Sequence, residues 1–260
     1  MKLHHQLFPA LDTQSQNPTI VLIHGLFGNL DNLGLLRKYL NQDYPVLCVD
    51  LRNHGKSPWS EEMNYELMSQ DVIELLQSLS IPETHLIGHS MGGKTAMAIA
   101  LQSPNMVLSL TVVDIAPVNY LENRHKDVIA ALQRVIDKQV KTRREADVVL
   151  AETIEDVSVR QFLLKSFSSE PNRYWQFNVQ SIHSHYANIM GWPFSSEQYC
   201  SQTLFIKGAT SSYLLPEHQT SVQHHFPKAK AHIMNGCGHW LHAEKPEQFH
   251  QIVHRFLLNQ

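Results

Sequence analysis

Short apolar runs recur along the chain and end at glycine, aspartate or histidine. In the first, residues 19–25, four consecutive apolar residues, mostly β-branched, lead into a glycine turn. Runs of this length suit strands that are buried on both faces, as in a parallel sheet. The pattern recurs in five further segments: residues 46–50, 84–90, 110–117, 203–208 and 231–239.

Between several of these runs the apolar residues return every three or four positions, which is the spacing of an amphipathic helix. Residues 68–79 show it, and so do residues 249–257, which follow a proline at a suitable first helical position, Pro246. Strands that alternate with helices imply right-handed crossovers. The pattern therefore predicts an α/β fold with a doubly wound, mostly parallel sheet.

One interval breaks the alternation, because no buried strand is indicated between about residues 118 and 201. Amphipathic helices are indicated there at residues 128–136 and 159–167. A stretch without strands longer than about 15 residues in an α/β domain is typical of a functional insertion. We therefore predict a core domain of residues 1–117 and 202–260 and an inserted helical cap of residues 118–201 over the active site.

Composition narrows the class of protein. The chain has 260 residues, is 43% hydrophobic and carries a net charge of -3, without the basic footprint of a nucleic-acid binder. Its three cysteines lack CxxC spacing, which fits a reducing compartment. No signal peptide is indicated, and no stretch approaches the roughly 20 apolar residues of a membrane span. We expect a cytoplasmic monomer or homodimer with no membrane or nucleic-acid partner.

The strongest chemical signal is Gly88-His89-Ser90-Met91-Gly92, which matches G-x-S-x-G. It closes an apolar strand and opens a helix of small residues, which is the context of a nucleophile elbow. In that turn Gly88 and Gly92 leave space where side chains would clash. The motif predicts Ser90 as a nucleophile; the alternative is a glycine-rich turn that only packs.

The oxyanion hole of such a site is built from main-chain amides. One comes from the residue after the nucleophile, here Met91. The other comes from the loop that ends the first core strand, residues 24–28, where Leu26 is the best-placed donor and Phe27 the second.

The general base must be chosen among 17 histidines. His239 follows a late strand through a turn with glycine on both sides of Cys237, and it lies C-terminal to Ser90, as the order of such triads requires. Imidazole titrates near neutral pH without large tuning. His242, one turn further on, is the nearest competitor. The pairs His183/His185 and His224/His225 have no further ligand at zinc spacing, so we expect no metal.

The acid that orients the base is less obvious. The loop of residues 208–213, which follows the first strand after the predicted cap, contains no carboxylate, and Glu217 comes next within a predicted helix. Asp114 ends the strand after the nucleophile helix, on the rim where ligands bind in doubly wound sheets. Asp114 is our candidate acid, with a structural role at the entry to the cap as the alternative.

Taken together, these motifs resemble the α/β-hydrolase superfamily, and more narrowly the bacterial YbfF-type esterases and their mitochondrial relatives. The resemblance covers essentially the whole chain and is strongest in six strings: residues 24–34, 50–58, 88–94, 114–118, 161–167 and 238–246. It implies a carboxylester hydrolase with a Ser–Asp–His triad, a covalent acyl-enzyme and no cofactor. Short acyl esters are the implied substrates, with acyl-CoA thioesters as a further class. The family's serine-bearing loop after the cap, as at Ser211 and Ser212, supports Asp114 as the acid.

Substrate contacts are expected from aromatic residues and from basic residues. The aromatic candidates for the acyl pocket are Phe27, Phe162, Trp175 and Trp192; the alternative is that the cap aromatics form the cap's own core. Arg124 and Lys126 could bind a phosphate or carboxylate at the entrance, or lie on a solvated helix face. Two other functions stay open: a C–C or C–O lyase on the same scaffold, and a non-catalytic ligand-binding homologue. Ser90 argues against the dehalogenases and epoxide hydrolases, which need aspartate at the elbow.

Overall fold

The computed structural model describes residues 1–170 and 173–259; Pro171, Asn172 and Gln260, which the predicted domain ranges include, lie outside them. Its strands are, in chain order, β1 (His5–Phe8), β2 (Thr19–Ile23), β3 (Val46–Val49), β4 (Thr84–His89), β5 (Val107–Val113), β6 (Phe167–Glu170), β7 (Arg173–Trp175), β8 (Gln202–Gly208) and β9 (Ala229–Met234).

The α-helices are α1 (Gly34–Leu40), α2 (Tyr65–Ser78), α3 (Met91–Gln102), α4 (Lys126–Asp137), α5 (Arg143–Ala151), α6 (Val157–Leu164), α7 (Val179–Ser184), α8 (Tyr186–Met190), α9 (Gln219–His225), α10 (Leu241–Glu244) and α11 (Pro246–Leu257). Short 3₁₀ turns lie at Pro104–Met106 and Pro216–His218. Pro246 occupies the first turn of α11, where its missing N–H costs no hydrogen bond.

The main sheet has the order β1-β3-β2-β4-β5-β8-β9 and is parallel except for β1, which runs antiparallel to β3. The six strands predicted from apolar runs form its parallel part, so the predicted fold class is confirmed. The bounds differ: β5 begins at Val107, before the predicted residue 110. The sequence did not indicate β1, because this edge strand is half exposed and needs no apolar run.

Helices cover both faces of the sheet. The helix α3 packs on β4 and β5 beside α2, and its residues 91–101 are all buried, which small side chains permit. On the other face α1 lies beside α11, which buries Phe249, Val253 and Leu257. Within the described residues, no helix combines the length and the apolar character that a membrane crossing requires.

The segment between β5 and β8 contains α4 to α8 and the hairpin of β6 and β7. Helices form where the sequence predicts them, but α6 ends at Leu164 and Phe167 begins β6. The hairpin was not predicted, because its strands are short and largely exposed or half-buried.

A buried lysine of α3 binds main-chain carbonyl oxygens near the beginning of this segment and after α8. Lys94 lies in α3, and its Nζ donates to the carbonyl oxygens of Val118 at 2.7 Å, Met190 at 3.1 Å and Gly191 at 2.7 Å. The ammonium also lies 4.7 Å from the ring centre of Tyr120. Because no carboxylate of the described residues pairs with this buried ammonium, these contacts are what offset its desolvation.

Candidate active site

The turn between β4 and α3 holds Ser90 in an unusual backbone conformation, with φ 54° and ψ -120°. Positive φ is uncommon for a residue other than glycine and is strained. The surrounding glycines have no room for side chains: a Cβ on Gly88 would lie 2.2 Å from the carbonyl oxygen of Gly92, and one on Gly92 would lie 2.3 Å from that of Ile23. The close packing of β2, β4 and α3 therefore fixes where the hydroxyl of Ser90 stands.

The loop between β9 and α10 brings His239 to this hydroxyl. Its Nε2 lies 3.0 Å from Ser90 Oγ, and its Nδ1 donates to Asp114 Oδ2 at 2.7 Å. The imidazole side chain is 21% exposed, so it borders the solvent-accessible space around the serine. In the described part of the chain Ser90 Oγ makes no such contact with His242.

Asp114 directly follows β5 and is completely buried. Besides the imidazole, its carboxylate accepts from the amide of Gly208 at 2.9 Å and from the hydroxyl of Ser211. A buried carboxylate is tolerated when donors of this kind surround it. The alternative carboxylate, Glu217, is 73% exposed, and its Oε1 lies 3.9 Å from His218 Nε2. The structure therefore brings Asp114, and not Glu217, to the imidazole.

The two predicted amide donors lie at the ends of β2 and β4. Met91 opens α3, so its N–H belongs to the first turn, which has no intrahelical acceptors and carries the positive end of the helix dipole. Within residues 1–170 and 173–259, the N–H of Leu26 donates no hydrogen bond to a main-chain or side-chain acceptor. The amide of Phe27 instead donates to His54 Nε2 at 3.2 Å, so the second-choice donor is already engaged.

Two further histidines surround the base. His89 Nε2 donates to the carbonyl oxygen of His239 at 2.9 Å, and the rings of His89 and His242 lie 4.4 Å apart. Burial lowers the pKa of His89 well below its usual value and that of His242 to about 3. Both rings are therefore neutral near pH 7 and add no positive charge beside His239.

A cavity of about 620 Å³ opens next to Ser90. Its apolar lining comes from the β2 loop, from α4 and α6, and from the loop that carries His239: Leu26, Phe27, Val128, Val159, Phe162 and Trp240. The charged residues of the lining are Arg124, Lys165 and Glu244. A mostly apolar pocket with a few polar groups is typical of a site for a small organic molecule.

Three of the predicted substrate contacts, Phe27, Phe162 and Arg124, line this cavity. Arg124 donates to Ser212 Oγ at 2.9 Å, so it is held at the cavity rather than free on a helix face.

The structure corrects the prediction for Trp175 and Trp192, neither of which is among the cavity's described lining residues. Trp175 is buried against Phe177, with ring centres 5.6 Å apart. The indole nitrogen of Trp192 donates to His225 Nε2 at 3.1 Å. Trp175 is therefore part of the core, and Trp192 is half-buried and packs against it.

Sequence reasoning missed a ring that lies on the base. Tyr213, in the loop after β8, stacks on His239 with ring centres 4.0 Å apart and planes inclined by 26°. No local pattern signals this contact, because it joins two loops that are distant in sequence.

The chain matches the family model described as alpha/beta hydrolase fold over residues 18–246. It is 40% identical over 257 residues to the esterase YbfF of Escherichia coli K12, covering 99% of each chain. It is 39% identical over 258 residues to the sn-1-specific diacylglycerol lipase ABHD11 of Mus musculus, covering 96% of this chain and 84% of that protein. The solved structure of a marine microorganism esterase superimposes with a TM-score of 0.92 at 34% identity, covering 98% of this chain and 99% of that one.

Proposed function

The chain belongs to the α/β-hydrolase fold family, whose esterase and lipase members point to a carboxylester hydrolase, and we propose that it is a serine esterase acting through a covalent acyl-enzyme. The observation that carries the proposal is the 3.0 Å contact between His239 Nε2 and Ser90 Oγ beside a cavity of about 620 Å³. Asp114 would complete the triad by holding Nδ1 of the imidazole.

In the first half-reaction His239 Nε2 accepts the proton of Ser90 as Oγ attacks the ester carbonyl carbon. The carbonyl oxygen becomes an oxyanion that accepts hydrogen bonds from the amides of Leu26 and Met91. The imidazolium, stabilised by the Asp114 carboxylate, then protonates the leaving alkoxide. The C–O bond breaks, the alcohol departs and the acyl group stays on Ser90.

In the second half-reaction the neutral imidazole of His239 takes a proton from water while the water oxygen attacks the acyl carbon. The amides of Leu26 and Met91 again donate hydrogen bonds to the oxyanion. The imidazolium returns its proton to Ser90 Oγ as the tetrahedral intermediate collapses, and the carboxylic acid is released. No redox step or cofactor is needed for this cycle.

The proposed substrates are short-chain carboxylic esters. The relatives are named as an esterase and as a diacylglycerol lipase, both of which cleave esters. Apolar side chains of α4 and α6, Val128 and Phe162 among them, would receive the acyl chain. In this interpretation residues 118–201 act as a cap that supplies one wall of the pocket.

Arg124 extends the proposal to charged substrates, including acyl-CoA thioesters. Arg124 lines the cavity, where its guanidinium could pair with a phosphate or carboxylate of the leaving group. Lys126 provides a matched control, because it is exposed and lines a different cavity. We expect Arg124→Gln to raise KM for acyl-CoA but not for a neutral ester, and Lys126→Gln to change neither.

The experiment that tests the proposal is a panel of kcat/KM values for p-nitrophenyl esters of increasing acyl length and for acyl-CoAs, with Ser90→Ala as control. We expect ester turnover that Ser90→Ala lowers by several orders of magnitude, on the order of 10⁶. Ester turnover would also favour the hydrolase over a lyase or a non-catalytic homologue. A Ser90→Ala protein that keeps more than a tenth of the wild-type rate would end the assignment. A cytoplasmic location and a monomeric or dimeric state remain predictions.

A further inference from the structure

The tyrosine ring that covers the imidazole is held on several sides. The amide of Tyr213 donates to Ser211 Oγ at 3.2 Å, and Ser211 in turn donates to Asp114. The carbonyl oxygen of Tyr213 accepts from the hydroxyl of Tyr120. These contacts join the loop that carries the ring both to the carboxylate of the site and to the segment that precedes α4.

The ring itself has further neighbours, among them the ring of Tyr120, whose centre lies 5.8 Å away. The guanidinium carbon of Arg124 lies 4.6 Å from its centre, and the hydroxyl of Tyr213 lies 3.5 Å from His125 Nε2. A half-buried ring with this many partners has little freedom to leave the imidazole. The stack on His239 is therefore a fixed feature of the site.

Two hydrogen bonds alone do not fix an imidazole. The bonds at Nδ1 and Nε2 of His239 act in the plane of the ring and set the distances to Asp114 and Ser90, so they oppose a tilt of the ring out of that plane only weakly. A flat ring stacked at 4.0 Å opposes that tilt. It also presents its electron-rich face to the imidazole, which favours the protonated form.

We propose that Tyr213 is a positioning residue for the base: its ring keeps the His239 imidazole aligned between Asp114 and Ser90 and stabilises it while it carries the serine's proton. This inference rests on the proposed function, because it requires His239 to be the base. The hydroxyl of Tyr213 is not needed for this positioning role.

The groups around His239 limit what else could titrate in its pH profile. Asp114 follows β5, His89 ends β4, His242 lies in α10, and His125 precedes α4. Burial lowers the pKa of His125 to about 4 and that of His242 to about 3, and it lowers that of His89 well below its usual value. Arg124 is a permanent cation, and two further charged residues, Lys165 and Glu244, line the cavity beside the imidazole.

The test compares Tyr213→Leu with Tyr213→Phe for kcat, KM and the pH profile of kcat/KM between pH 5 and 9. We expect Tyr213→Leu to lower kcat by roughly 10-fold to 100-fold with KM within about threefold, since remote misplacement of a base acts on the chemical step. Loss of the aromatic face should also move the midpoint of the acid limb to lower pH by roughly 0.5. Tyr213→Phe should stay within about twofold of wild type, because it keeps the ring.

The matched control is Tyr39→Leu, which removes another tyrosine stacked on a histidine. Tyr39 lies 4.9 Å from the ring centre of His250, on α1 and away from Ser90. Its replacement should leave kcat and the pH profile unchanged.

A second variant keeps the proposal testable if Tyr213→Leu does not fold. Pentafluorophenylalanine at position 213 preserves the shape of a phenylalanine ring but reverses the charge distribution of its face. It should label with a fluorophosphonate more slowly than Tyr213→Phe.

The outcomes separate the two proposals. Wild-type kcat and an unmoved acid limb in Tyr213→Leu, in a protein whose wild type hydrolyses esters, would overturn the role of Tyr213 alone. A loss in Tyr213→Phe equal to that in Tyr213→Leu would also overturn it, because the hydroxyl would then be the active part. A wild type that neither turns over esters nor reacts with the fluorophosphonate at Ser90 would overturn the proposed function, and this inference with it.

Discussion

Replacing Asp114 with asparagine puts an amide nitrogen where one carboxylate oxygen stands in a completely buried cluster. In the wild type, Oδ1 accepts from the amide of Gly208, while Oδ2 accepts from Ser211 and from His239 Nδ1 at 2.7 Å. The asparagine oxygen can keep the bond from Gly208, so its nitrogen must occupy the place of Oδ2. Ser211 can reverse its hydroxyl and become an acceptor.

His239 can accept from that nitrogen only by moving its own proton. An unprotonated Nδ1 leaves the hydrogen on Nε2, where it points at Ser90 Oγ and prevents the ring from acting as a base. The loss of kcat should therefore approach about 10⁴-fold, or roughly 5 kcal/mol of transition-state stabilisation. Stability should change little, since the cluster can keep its hydrogen bonds in reversed directions.

The assay is kcat/KM for a p-nitrophenyl ester, with thermal unfolding as a check on the fold. Glu217→Gln is the matched control, because it makes the same chemical change at the exposed carboxylate that follows β8. It should retain wild-type activity. More than a tenth of the wild-type kcat in Asp114→Asn, or an equal loss in Glu217→Gln, would refute the reasoning.

The remaining predictions concern stability. Gly92→Ala should lower the free energy of unfolding by roughly 3 kcal/mol because its Cβ overlaps main-chain carbonyl oxygens, whereas Gly34→Ala, where a Cβ meets no atom within 4 Å, should not; equal urea midpoints would contradict this. Lys94→Met should lower the free energy of unfolding by roughly 2–4 kcal/mol, even though an ammonium is no longer buried, because three buried or part-buried carbonyl oxygens lose their donor; an unchanged midpoint would count against that role. Burial lowers the pKa of His54 and of His242 to about 3, below the unfolded value of about 6.5. Their contribution to the free energy of unfolding is therefore complete above pH 6.5 and is lost as pH falls toward about 3. For these two residues the free energy of unfolding should fall by about 3 kcal/mol per pH unit between pH 6 and 4, and a melting temperature that stays flat there would contradict the assignment.

Most of the central sheet was predictable because the strands β2, β3, β4, β5 and β8 are largely buried, and strands buried on both faces appear in the sequence as apolar runs. The edge strand β1 and the hairpin of β6 and β7 leave no such trace, since half of their side chains face solvent or lie at the margin. For these strands the pairing partner, not the local pattern, determines the structure.

The residues of the site also divide into those that the sequence indicates and those that it does not. Ser90, Asp114 and His239 could be singled out because each follows a strand whose carboxyl end reaches the same rim. Their catalytic roles, and those of the Leu26 and Met91 amides, stay predictions. Trp175 was misplaced because an aromatic residue in the predicted cap suits a pocket wall and an internal core equally well. Tyr213 could not be found, because loop conformation alone brings it to the imidazole.

The most direct test of the central claim is covalent labelling with a fluorophosphonate, followed by peptide mapping by mass spectrometry. We predict one adduct per chain, located on Ser90, with ester hydrolysis lost in proportion to labelling and no adduct on the Ser90→Ala protein. An adduct on a different residue, or full ester turnover by a completely labelled protein, would contradict the claim that this hydroxyl is the nucleophile.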